Sequence, residues 1–207
     1  MLVAALTGNY GMGKSFVLSA FRDLGAVTLD SDRVVELLLK ETGVIENVRK
    51  LLGGDVVAVG GVLDKKAVAA KIFHDPGLKK GLEGIIHPLV FERVNDFIGR
   101  IKDKNRVVIV EVPLLFEGDY QEDFSKVITV YAPEETAIER LENSGVAREE
   151  AFLRLRSQLP IEEKKARADY VIDNSGSKEE TLTQVAEVYR LLCEEMKKGG
   201  LTRSAYD

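Results

Sequence analysis

Three features of the 207-residue sequence predict a three-layer α/β fold, a five-stranded parallel sheet flanked by helices. Short runs rich in Val, Ile and Leu recur along the chain without polar alternation, as strands covered on both faces must. Amphipathic stretches at helical spacing separate them. The first apolar run leads directly into Gly8-Asn9-Tyr10-Gly11-Met12-Gly13-Lys14-Ser15, which fits G-x-x-x-x-G-K-[ST] between a strand and a helix.

Leu2 to Thr7 reads as the first strand. Beyond the glycine loop, Val17, Leu18, Phe21 and Leu24 recur at helical spacing, and Gly25 closes that helix. Ala26 to Leu29 forms the second strand, terminating in Asp30-Ser31-Asp32, and the next helix is expected from Arg33 to Lys40. From there to about Asn105 no clear strand occurs. Val34, Leu37 and Leu38, then Ile45, Val48, Leu51 and Leu52, make apolar stripes interrupted at Gly53-Gly54 and Gly60-Gly61, the pattern of a helical insertion. Within it, Pro88 is expected to open a helix as its first residue, which holds His87 out of helical geometry. Strands return at Arg106 to Pro113, Lys126 to Ala132 and Asp169 to Asp173. Residues 137–167 are rich in both charge signs and read as helices broken at Asn143-Ser144-Gly145. A last helix spans about Lys178 to Lys198, closed by Gly199-Gly200, with Leu201 to Asp207 frayed.

Composition limits the function. With 29 Lys+Arg against 34 Asp+Glu the net charge is -5, so no global basic field points to a nucleic acid or a membrane. A polyanionic ligand has to be held by local positive groups. One cysteine, Cys193, excludes an intramolecular disulfide framework and a Cys-rich zinc site, and agrees with a reducing compartment. Its amphipathic surroundings make it a packing residue. A strand that begins at once leaves no room for a leader before the loop, and no apolar stretch reaches the length of a membrane span. The expectation is a cytoplasmic protein with small-molecule ligands.

The loop is the chemical centre. Gly8 and Gly13 allow backbone conformations in which successive N–H groups converge on an anion at the positive end of a helix dipole. The expected phosphate cradle is Gly8, Asn9, Tyr10, Gly11, Met12, Gly13, Lys14, Ser15 and Phe16, with Lys14 on the β- and γ-phosphates and the Ser15 hydroxyl on Mg²⁺. Asp30 and Asp32 lie at a strand's C-terminal end, where ligands bind in open parallel sheets. Alternation along an extended chain aims both the same way. Helix capping is the alternative use for either carboxylate. Glu111 stands near the end of a central strand, a place where an acid commonly helps to hold hydrated metal; capping or solvent exposure is the other reading. Arg140, Arg148, Arg154 and Arg156 are candidate phosphate clamps, Arg140 first among them. His87 is either a capping residue or an anion contact.

These residues form an ordered set that resembles the dephospho-CoA kinases over roughly residues 4 to 176. Its parts are Ala5-Leu6-Thr7-Gly8 with the loop, Asp30-Ser31-Asp32, Gly61-x-Leu63-Asp64-Lys65, His87-Pro88, Val112-Pro113-Leu114-Leu115-Phe116-Glu117, Gln158, and Lys164-x-x-Arg167-Ala168-Asp169-Tyr170-Val171-Ile172-x-Asn174-x-Gly176. The resemblance implies a P-loop kinase fold that transfers the γ-phosphoryl of ATP to the ribose 3′-hydroxyl of dephospho-CoA, giving CoA and ADP. It implies a nucleotide-binding core (1–34, 106–136 and 168–207), a helical acceptor domain (35–105) and an arginine-bearing lid (137–167). Asp32 is then the general base, Lys14 and Ser15 serve the phosphates and Mg²⁺, and Arg140 is the lid contact; the expected acceptor contacts are Asp30, Asp32 and His87. Asn9, Tyr10, Met12 and Phe16 depart from the smaller residues usual there. Rival readings are another small P-loop kinase and a GTP-dependent switch; the second lacks an Asn-Lys-x-Asp guanine reader.

Overall fold

Every residue of Leu2–Thr7 is buried, and this run forms β1, the middle strand of the sheet. The computed structural model describes residues 1–198. The remaining strands are β2 (Val27–Asp30), β3 (Val107–Glu111), β4 (Lys126–Tyr131) and β5 (Tyr170–Asp173). They pair in the order β2-β3-β1-β4-β5, all parallel. Register places Leu6 beside Glu111 and Glu111 beside Asp30, so β1, β3 and β2 finish together at one edge.

Side-chain alternation gives the sheet two different faces. On one, Leu2, Ala4 and Leu6 of β1 pack with Ile109, Ile128 and Val130 against Val17, Leu18 and Phe21 of α1 (Lys14–Asp23). Val185, Val188 and Leu192 of α9 (Lys178–Lys197) complete that cluster, and the half-buried Cys193 packs against it as expected. On the other face Thr129 of β4 meets α8 (Ile161–Arg167), donating its hydroxyl to the Lys164 carbonyl at 3.3 Å. Between β4 and α8 come α6 (Glu134–Asn143) and α7 (Arg148–Arg156), parted at Ser144-Gly145 as expected; a further break at Ser157–Pro160 sets α8 apart. The expected close at Gly199-Gly200 and the 201–207 tail lie outside the described residues.

The chain divides into two units, Met1–Asp30 with the chain from Ile101 onward, and Ser31–Arg100. The second unit is helical: α2 (Ser31–Leu38), α3 (Thr42–Leu52), a short 3₁₀ turn, α4 (Lys65–His74) and α5 (Pro76–Gly99). Its core is Val44, Val48, Leu52, Val56 and Ile86, with Leu82, Leu89 and Val90 packed on it.

Two sequence expectations change here. Strand β2 ends at Asp30 and α2 begins at Ser31, so Asp32 sits in a first helical turn and strand alternation no longer relates it to Asp30. A carboxylate there is favoured by the helix dipole. Pro88 lies inside α5, and His87 is therefore helical. The start signal is Asp75-Pro76 instead, where Asp75 accepts from the Gly77 and Leu78 amides at 2.8 and 3.1 Å and Pro76 takes the first position. Pro88 removes one backbone bond and crowds the carbonyl four residues back, a glycine. Buried Ile86 on one side and Val94 and Ile98 on the other hold the helix through that defect.

Candidate active site

The phosphate loop leaves β1 at Gly8 and enters α1 at Lys14. Gly8 has φ 144°, and a Cβ there would stand 2.4 Å from the Val130 carbonyl oxygen of β4. Gly13 caps α1 at φ 89° with no side-chain cap, and a Cβ there would meet Asn174 Nδ2 at 2.2 Å. Neither position has room for a side chain. The first turn of α1 carries no acid, leaving its positive end to an anion. Lys14 is 9% exposed and its ammonium donates to the Asn9 carbonyl at 3.3 Å, folded back along the loop. Ser15, next in the helix, is exposed.

Asn174, buried after β5, ties three elements to this loop. Its Nδ2 donates to the Met12 carbonyl at 2.9 Å, its Oδ1 accepts from Thr181 Oγ1 at 3.0 Å, and its carbonyl accepts from Arg140 Nη2 at 2.8 Å. Arg140 Nη1 is consequently held 3.7 Å from where a Gly13 Cβ would be, buried and without a hydrogen-bond acceptor among the described residues. A buried guanidinium nitrogen without an acceptor has a charged N–H available to an anion. Arg148 instead pairs with Glu135 and Glu142, Arg154 pairs with Glu150 and stacks over Tyr10, and Arg156 stacks over Phe152.

The unusual loop residues have structural uses. Met12 is 1% exposed and fills a cluster with Ala137, Ile138, Leu141, Ala151 and Leu155 of α6 and α7. Asn9 Nδ2 donates to the Leu159 carbonyl at 3.1 Å, and the Tyr10 amide donates to Gln158 Oε1 at 2.8 Å. Phe16 packs against the α1–α9 cluster.

Glu111 ends β3, 4% exposed, in register with the half-buried Asp30. In the helical unit Asp32 is exposed and His87 half-buried. Burial pushes the His87 imidazole below its ordinary range, opposed by Glu83 one turn back. Asn174, Gln158, Glu117 and Lys164 had no role in the sequence reading, although each lies in the ordered set quoted above. Their only signal was that membership, because their partners are distant in sequence.

Comparison with known proteins agrees with this geometry. The family model described as Dephospho-CoA kinase matches residues 2–180. A dephospho-CoA kinase of Aquifex aeolicus is 39% identical over 188 residues, 90% of this chain and 95% of its own. Among solved structures, TT1252 from Thermus thermophilus matches with a TM-score of 0.83 at 33% identity, covering 92% of this chain and 96% of that one. Dephospho-CoA kinase from Campylobacter jejuni matches at 0.69 and 25% identity, covering 93% and 98%. A chain with this loop, this strand order and these relatives belongs to the dephospho-CoA kinase family.

Proposed function

We propose that this chain is an ATP-dependent dephospho-CoA kinase, moving the γ-phosphoryl of ATP onto the ribose 3′-hydroxyl of dephospho-CoA and releasing CoA and ADP. The family membership carries the activity, and the Gly8–Ser15 cradle with Arg140 held beside it supports the donor side. Phosphoryl transfer needs alignment, charge neutralisation and exclusion of water more than covalent help. Loop amides and the α1 terminus receive the phosphates, Lys14 turns its ammonium from the Asn9 carbonyl to the β- and γ-oxygens, and Arg140 Nη1 takes a further oxygen. Asp32 receives the acceptor hydroxyl's proton as the new P–O bond forms. Asp30 and His87 orient the acceptor, residues 35–105 form its binding domain, and residues 137–167 act as the lid.

Mg²⁺ suits the residues present. Ser15 and Glu111 offer hard oxygen donors, and no group of three or more acids, histidines or cysteines able to hold a metal occurs among the described residues. That agrees with an ion that keeps its waters and takes one or two protein ligands with substrate phosphates. When bound it neutralises charge on the β- and γ-phosphoryl oxygens. The net charge of -5 supports small-molecule substrates over nucleic acid, and the single cysteine supports a cytoplasmic setting. No described helix is long and apolar enough to cross a membrane.

A coupled ADP-release assay tests the proposal. Release with dephospho-CoA and ATP, and none with AMP, CMP or shikimate as acceptor, is the expected result. Equal release with those acceptors, or none with dephospho-CoA, would overturn it.

A further inference from the structure

Glu117 lies just beyond β3, in the stretch that follows Pro113, and Lys164 lies in α8. Their Oε1 and Nζ are 2.7 Å apart, with the Lys164 side chain fully buried and Glu117 partly exposed. Burial holds the Lys164 ammonium below the usual lysine range while Glu117 acts against it. Such a pair is a weak source of stability, since desolvation offsets most of its attraction. Its other bonds suggest a different use. Glu117 Oε1 also accepts from the Leu159 amide at 2.9 Å. The Leu159 carbonyl in turn accepts from Asn9, and neighbouring Gln158 accepts from the Tyr10 amide.

The anchor at the other end is the sheet itself. Lys164 Nζ donates to the Pro113 carbonyl at 3.2 Å, and Thr7, the last residue of β1, donates its hydroxyl to that same carbonyl at 3.2 Å. Thr129 of β4 holds the Lys164 backbone. A chain of hydrogen bonds therefore runs from Thr7 of β1, Thr129 of β4 and the Pro113 carbonyl, through Lys164, Glu117 and the 158–159 segment, to the two loop residues that follow Gly8.

We infer that the Glu117–Lys164 ion pair, buried on its lysine side, sets the conformation of the phosphate loop through Gln158 and Leu159, making Glu117 and Lys164 positioning residues for the nucleotide. This rests on the reading of the loop as the ATP site. Asn9 and Tyr10 are side-chain and backbone handles by which the loop is gripped, and the grip lies outside the four fixed positions of the motif. Without it the loop amides keep their sequence but lose their fixed aim at the phosphates.

The test measures equilibrium ATP binding by calorimetry on Glu117→Gln, Gln158→Ala, Asn9→Ala and the Glu117→Gln/Asn9→Ala pair, each checked for native circular dichroism. Gln158→Ala leaves the ion pair whole and so gives a reading even if Glu117→Gln fails to fold. Each single variant is expected to weaken ATP binding about 10-fold, as for loss of one hydrogen bond, with the KM for dephospho-CoA unchanged. The double variant is expected to be no weaker than the worse single one, within about 2-fold, because both changes cut one chain. Wild-type ATP affinity in folded Glu117→Gln or Gln158→Ala, or fold-changes that multiply in the double variant, would overturn the inference. Wild-type protein that binds ATP but fails to phosphorylate dephospho-CoA would count against the proposed activity alone.

Discussion

Asn174 and Met12, 162 residues apart, are joined by a 2.9 Å hydrogen bond from the asparagine amide to the loop carbonyl. With Thr181 on its Oδ1 and Arg140 on its carbonyl, Asn174 is the point where β5, α9, α6 and the phosphate loop meet. Replacing it by Ala leaves the Met12 carbonyl without its side-chain donor and the Thr181 hydroxyl with the Ser177 carbonyl alone at 3.2 Å. Urea denaturation should register a loss of about 1–3 kcal/mol; an unchanged midpoint would show that the tether carries no stability.

Gly13→Ala places a methyl group against the same amide at a backbone angle disfavoured for alanine. The loop must shift or Asn174 must swing away. ATP should then raise the melting temperature far less than in wild type, corresponding to at least about a 10-fold weaker complex. A wild-type shift would contradict the close packing at this position.

Asp32→Asn keeps the size of the side chain and removes its ability to take a proton. Turnover with dephospho-CoA should fall by about 10²-fold or more, while calorimetric ATP binding stays near wild type. Near-wild-type turnover would remove Asp32 from the role of base.

Arg140→Lys retains a positive charge but not the fork that reaches Asn174 and the loop at once. Its kcat should fall at least about 10-fold, and that of Arg140→Ala further, because a lost contact to transition-state charge costs turnover. Arg148→Ala, which loses only exposed pairs with Glu135 and Glu142, should keep wild-type kcat. Equal losses in Arg140→Ala and Arg148→Ala would undo the distinction between these arginines.

His87 is held below its ordinary range by burial, with Glu83 in opposition. Between its folded value and the ordinary histidine value the unfolded chain binds more protons, so stability rises with pH across that window and is lower at more acid pH. Wild-type stability followed by urea melts from pH 5 to 7 should carry this upward slope, and His87→Gln should flatten it. The same slope in both proteins would assign it to other groups.

Much of the core could be read locally. Leu2 to Thr7 and Val107 to Val110 are apolar on both faces, and only a covered parallel strand uses such a run. The loop motif located the cradle for a similar reason, since Gly8 and Gly13 answer backbone angles that other residues resist. Helix boundaries were less legible. Pro88 looked like a start because a local rule says so, but the burial of Ile86, Val94 and Ile98 outweighed one missing bond. Asp32 looked extended because a strand preceded it, whereas the chain turned helical one residue after Asp30.

The sequence by itself determined the strands and the phosphate loop, because each depends on residue types at short, fixed spacing, and the family, because its motifs follow one another in a fixed order along the chain. Tertiary structure alone decided the strand order, the grip of Gln158 and Leu159 on Asn9 and Tyr10, the Glu117–Lys164 pair, and which arginine stands beside Gly13. Those contacts join residues up to 150 positions apart. No local propensity encodes them, since their partners are brought together only when the sheet has ordered its strands.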